Sequence, residues 1–257
     1  MPPTTYPHHA ESIKNMTAHY RENPDIHCLF LIGSVATGTE RADSDLDGVA
    51  VVPKDIYLHK KVNNGLEEVV FGKCTYDGGY FNIHYVCGEV MEKIALSGSE
   101  VMRNMFDQAR VLFCDDDYYA ELARKIPVFP VRQAKKKQLI FYCTLKNAYH
   151  YFWVCCKPEG FMKHHLGGAI VYNLYRLILI ENKILFPSVR KLEDYVARAK
   201  KKPDGIVEMC RDFLQNIYSA TDEDCEKLVK LYETWTAYDY PTDHNIIMNN
   251  YRDPYEG

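Results

Sequence analysis

No stretch of this chain reaches the roughly 18 consecutive apolar residues of a membrane span, and Met1 to His9 hold no apolar signal core. Metal or redox cysteine spacing is missing as well. The nine cysteines, at 28, 74, 87, 114, 143, 155, 156, 210 and 225, form no C-x-x-C and no regular series. The adjacent pair Cys155-Cys156 suits neither a zinc site nor an ordinary disulfide. An odd count, with several members inside apolar runs, reads as buried free thiols in a reducing, intracellular compartment, so the expected localisation is cytoplasmic. Positive charge is not in excess either. The chain has 31 basic and 35 acidic side chains, net charge -4, which argues against nucleic acid as the main substrate. The short runs Lys135-Lys136-Lys137 and Lys200-Lys201-Lys202 read as solvated helix surface. There is no internal repeat and no low-complexity segment. What remains is a chain of 257 residues, long enough to bury one large core or two smaller ones.

Against these absences one segment stands out. An apolar run from Cys28 to Ile32 ends in Gly33-Ser34, residues 35–44 turn the chain, and a second apolar run opens at Asp45-Leu46-Asp47. In a strand, residues i and i+2 share a face, so Asp45 and Asp47 would present two carboxylates side by side. Hard cations such as Mg2+ take carboxylate oxygens in that arrangement. Gly33 permits close backbone approach, and Ser34 would open a helix whose free amides cradle a phosphate. Asp43 reads as a turn residue.

The pattern Gly33-Ser34, Gly38, Ser44-Asp45-Leu46-Asp47 resembles the signature of the nucleotidyltransferase superfamily, which has the DNA polymerase beta-like fold. The spacing is that of the small-molecule branch, including aminoglycoside and lincosamide nucleotidyltransferases. The resemblance implies an N-terminal α/β (α+β) catalytic domain with a mixed sheet over residues 1–126. An all-α helical bundle for substrate binding would follow over 127–257, with the active site in the cleft between them. It implies two Mg2+ ions on Asp45 and Asp47, phosphates of ATP or another nucleoside triphosphate at Gly33 and Ser34, and a small-molecule acceptor. No nucleic-acid or membrane partner is expected, and the oligomeric state is open.

The periodicities fit that division. A helix is expected over 8–22, strands near 27–32 and 47–53, and a hairpin of 68–75 with 80–86 through Asp77-Gly78-Gly79. Helices near 88–97 and 99–108 and a strand at 110–114 follow. Beyond Pro127, helices are expected near 131–157, 163–182, 189–201, 205–217 and 222–238, broken at Pro158-Glu159-Gly160, Pro187 and Pro203-Asp204-Gly205. The stretch Asn182 to Leu192, with Phe186-Pro187 and Lys191, looks like a segment of the family's helical domain. The resemblance gives Lys191 to the triphosphate, with Lys146 and Arg176 as alternatives.

One departure from the family matters. A third carboxylate normally stands on a neighbouring strand, facing the first two. The strand Tyr80 to Val86 offers Asn82 and His84 instead. Three openings follow: His84 serves as general base, a carboxylate of the helical half such as Glu181 does so, or the site only binds nucleotide and acts on or with a protein partner.

Overall fold

The computed structural model describes residues 6–251. It divides into two compact units, Met1–Val128 and Phe129–Gly257. The first is α/β, with a mixed five-stranded sheet. The second is helical.

Helix α1 (Pro7–Arg21) starts on a proline, whose fixed φ suits the first helical turn, and turns Met16 and Tyr20 inward. Strand β1 (Cys28–Leu31) is buried along its whole length. Between it and β2 (Leu46–Val51) runs the short helix α2 (Gly33–Thr37). The two strands pair antiparallel, Leu31 opposite Gly48. Strand β4 (Tyr80–Val86) runs parallel to β2, a pairing that needs a crossover, here through α3 (Lys54–Val62) and β3 (Glu67–Phe71). Strand β3 pairs antiparallel with β4 from Phe71 opposite Tyr80 to Glu67 opposite His84. Strand β5 (Arg110–Cys114) closes the far edge against β1.

Alternate residues of the same strands feed different cores. Leu29, Leu31, Leu46, Phe81 and Ile83 pack with Met16 of α1 on one face. Phe30, Val49 and Val51 pack with Met91 and Ile94 of α4 (Gly88–Ser97), Phe106, which follows α5 (Glu100–Asn104), and Leu122 of α6 (Asp117–Lys125) on the other. Helices α3 and α6 are not apparent in the apolar pattern. Helix α3 buries no residue at all, so it leaves no stripe to read. Helix α6 is announced instead by its cap, Asp116, which accepts the Tyr118 amide at 2.8 Å.

In the second unit α7 (Val131–Lys146) continues as a π-wound segment, Asn147–Cys155, and packs along α8 (Gly160–Glu181). A 3-10 turn (Val189–Lys191) leads into α9 (Leu192–Arg198), followed by α10 (Ile206–Gln215), α11 (Asp222–Trp235) and α12 (His244–Asn250). Leu145, Trp153, Ile170, Leu174, Val196, Cys210 and Tyr232 form its core. The aromatic residues at 142, 149 and 153 therefore serve mainly as packing.

The reading of the cysteines as free thiols needs one correction. Cys28 and Cys114 are register partners on β1 and β5, with Cα atoms 4.0 Å apart, and form a disulfide. Residues 86 apart in sequence become neighbours only through the strand pairing, which spacing alone does not reveal. The other seven are free. Among the described residues no helix is long and apolar enough to cross a membrane.

Candidate active site

Asp45 immediately precedes β2 and Asp47 is its second residue. Both are half-buried, on the strand face opposite the buried Leu46. Gly33 lies against this pair. Its φ is +73°, in the region that favours glycine, and a Cβ built there would stand 2.3 Å from Asp47 Oδ2. The Ile32 amide also donates to the Asp47 carbonyl at 2.9 Å, stitching the turn to the strand. Ser34 follows in the first turn of α2, where helix amides lack a partner four residues back. Arg110 Nε donates to the Ala36 carbonyl at 2.8 Å and holds α2 down on the sheet.

The loop before β2 is clamped from outside. The Ser44 carbonyl accepts from Tyr76 Oη at 2.5 Å and from His9 Nε2 at 3.2 Å, while His8 Nε2 donates to the Ala42 carbonyl at 2.9 Å. The His8 and His9 rings lie 4.6 and 5.0 Å from Tyr76. Burial, then the neighbouring His8, holds the His9 imidazole below its usual value near 6.5. Asp43 sits in the exposed turn, paired with Arg41 at 2.9 Å, the turn role its position suggests. Sequence reading passed over His8, His9 and Tyr76, because nothing local ties residue 76 to residue 44.

On β4, Tyr80, Asn82 and His84 share the face of the aspartates. Tyr80 stands near Asp45, and hydrogen bonding toward that carboxylate, then its charge, raises the phenol above its ordinary value. Asn82 is the register partner of Asp47, and its Nδ2 lies 3.5 Å from Asp47 Oδ1. Asn82 Oδ1 is buried without a hydrogen-bond partner. His84 lies two register pairs further along, between Val49 on β2 and Glu67 on β3. The strand pairing thus gathers Gly33, Ser34, Asp45, Asp47 and Asn82, with His84 on the same face but not beside the carboxylates. Tyr80 was legible from period two alone, being two residues before Asn82. Glu67 needed the hairpin register.

The two carboxylates suit a hard cation, and the Asn82 amide stands beside them with its nitrogen toward Asp47. Among the described residues no group of three or more His, Cys, Asp or Glu side chains is placed to hold a metal.

The alternatives in the helical unit are already engaged. Glu181 Oε1 accepts from Tyr232 Oη and Thr236 Oγ1, both at 2.6 Å. Lys146 is paired with Glu233 at 2.8 Å. Arg176 is buried, its guanidinium 4.0 Å from the Phe186 ring centre. Lys191 ends the 3-10 turn and is half-buried.

No family model matches the chain, and no curated protein does. Several solved structures are similar to it, these two among them. One is a nucleotidyltransferase-like protein from Exiguobacterium sibiricum, 12% identical, covering 88% of this chain and 73% of its own, with a TM-score of 0.43. The other is the spectinomycin adenyltransferase AAD(9) from Enterococcus faecialis, solved with ATP and spectinomycin. It is 13% identical, covers 87% of this chain and 99% of its own, and has a TM-score of 0.37.

Proposed function

We propose that this chain is a Mg2+-dependent nucleotidyltransferase that moves a nucleoside monophosphate, AMP from ATP, onto a hydroxyl of a small molecule. The expected acceptor is an aminoglycoside- or lincosamide-like compound. Residues 1–126 would carry catalysis and 127–257 the substrate. The observation that carries the reading is the contact of Gly33 with Asp47. It leaves no room for a side chain between a turn suited to phosphate and the carboxylates suited to its counter-ion.

Asp45 and Asp47 would hold Mg2+, which would supply charge neutralisation and polarisation of the triphosphate. The first amides of α2 and the Ser34 hydroxyl would donate to phosphate oxygens. His84 takes the proton of the acceptor hydroxyl, whose oxygen bonds the α-phosphorus as the bond to pyrophosphate breaks. His8, His9 and Tyr76 keep the Asp45 loop in place. The protein would act in the cytoplasm without a nucleic-acid partner.

Pyrophosphate release with ATP and Mg2+ across a panel of hydroxylated acceptors tests the reading, with Asp47→Asn as control. The expected result is turnover with at least one acceptor that the control loses. A second reading, nucleotide binding without transfer, is favoured by the amide of Asn82 where an acid would complete the site. Stabilisation by ATP with no turnover on any acceptor would decide for it. Tight, salt-sensitive RNA binding would overturn the small-molecule acceptor.

A further inference from the structure

The edge strand β3 turns Glu67, Val69 and Phe71 to the face that carries the carboxylates, and its register with β4 sets them in rows. Val69 is level with Asn82, which is level with Asp47. Phe71 is level with Tyr80, and Tyr80 and Asp45 each stand one residue before the Leu46–Phe81 pair. The third row is Val49, His84 and Glu67. Two apolar side chains of these rows stay open to solvent: Phe71 is 71% exposed and Val69 47%. Val70, on the opposite face of the same strand, packs against the core instead. The Phe71 ring meets the Tyr80 ring at 5.4 Å with 46° between their planes, a tilted contact that leaves most of the Phe71 ring open.

Exposed apolar side chains scattered singly are ordinary. Here two lie side by side on one face, and Tyr80 makes them continuous with Asp45. Neighbouring strands stand about 4.8 Å apart, so Phe71, two strands from β2, lies on the order of 10 Å from the carboxylates. One small molecule spans that distance. We propose that Phe71 and Val69, with the Tyr80 ring, form the acceptor shelf of this site and select an acceptor carrying an apolar group about 10 Å from the hydroxyl it offers. Lincosamide-like compounds carry such a group and aminoglycoside-like ones do not. Of the carboxylates in these rows the cation would take Asp45 and Asp47. That leaves Glu67, one acid against the several ammonium groups of an aminoglycoside. The assignment rests on the nucleotidyltransferase reading of the site and narrows its acceptor class.

Calorimetric titration of the full chain with Mg2+ and without nucleotide tests it, using lincomycin and kanamycin. Lincomycin is expected to bind at least about tenfold more tightly. Phe71→Ser should weaken lincomycin by about tenfold and leave kanamycin unchanged, and Phe71→Leu, which keeps an apolar surface, should restore most of the loss. Thermal unfolding checks the fold, and Val69→Ser, expected to weaken lincomycin about threefold, decides alone if Phe71→Ser does not fold. No binding of lincomycin, kanamycin binding as tight, or lincomycin binding indifferent to the substitutions would overturn the proposal. So would a dimer of the parent that Phe71→Ser dissolves, which would assign the patch to a second copy of the chain. Pyrophosphate release from ATP on the same two compounds separates this proposal from the reading beneath it. Lincomycin held through Phe71 without release on any acceptor upholds the shelf and counts against transfer. Release with kanamycin alone upholds transfer and overturns the shelf.

Discussion

Asn82 stands directly opposite Asp47 in the parallel β2–β4 pair, its amide nitrogen 3.5 Å from the carboxylate and its amide oxygen buried without a partner. An amide in that place keeps the geometry of a three-acid site while withholding one negative charge. If the site holds a cation as proposed, its strength is open to adjustment at this one side chain.

Replacing Asn82 by Asp should tighten Mg2+ by about tenfold or more, since a further carboxylate a few ångströms from the ion contributes more than 1 kcal/mol. Without metal, three neighbouring carboxylates repel, and the variant should unfold at lower temperature than the parent. Mg2+ titration followed by thermal unfolding reads both. Asp47→Asn should act in the opposite sense and lower pyrophosphate release by about a hundredfold or more. An Asn82→Asp protein that responds to Mg2+ like the parent would remove residue 82 from the cation site.

Gly33→Ala tests the packing of the turn on the carboxylate. The added carbon would stand 2.3 Å from Asp47 Oδ2, at a φ of +73° that a side chain tolerates poorly. The combined cost should be on the order of 1–3 kcal/mol. ATP-dependent stabilisation should be lost beyond that cost. Gly38, also at positive φ but with open space around it, should show the backbone cost alone.

How much of this was legible beforehand follows the range of the interactions. The two aspartates, the Gly33-Ser34 turn and the strands around them came from local pattern, because period two and a turn are properties of adjacent residues. The deficiency at Asn82 was visible for the same reason. The partners at longer range were not. Tyr76 reaches Ser44 across 32 residues, His9 across 35, and Cys28 joins Cys114 across 86. Helix α12 was hidden because its only buried residue is Ile247, too little for an apolar stripe.

Tyr76→Phe should separate positioning from chemistry. It removes one hydrogen bond to the Ser44 carbonyl and should cost about 1 kcal/mol of stability. If the clamp sets the Asp45 loop, the Mg2+ concentration for half-maximal ATP-dependent stabilisation should also rise. Loss of stability with an unchanged Mg2+ requirement would reduce the clamp to a packing role.

The His9 imidazole supplies a pH signature. Its folded value lies below the ordinary 6.5, so the unfolded chain binds the proton more readily. The stabilisation is complete above about pH 6.5 and is lost as pH falls through the folded value. His9→Gln should flatten the part of this slope that belongs to His9. Melting temperatures of both proteins between about pH 7 and 5 should diverge at the neutral end and converge at the acid end. Parallel curves would show that His9 does not titrate with folding.

The alternation along β4 carries a further consequence. Phe81, Ile83 and Tyr85 are fully committed to the core, whereas Tyr80 and Asn82 beside the carboxylates, and His84 further along the same face, are only half-buried. The strand keeps two ledgers that never share a residue. Natural variation at 80, 82 and 84 can therefore rewrite which ion or proton the face accepts while the fold stays solvent-tight beneath it. Fold and surface chemistry are in this sense separable along this strand at a resolution of single residues, so a change at one of these positions need not disturb the packing beneath it.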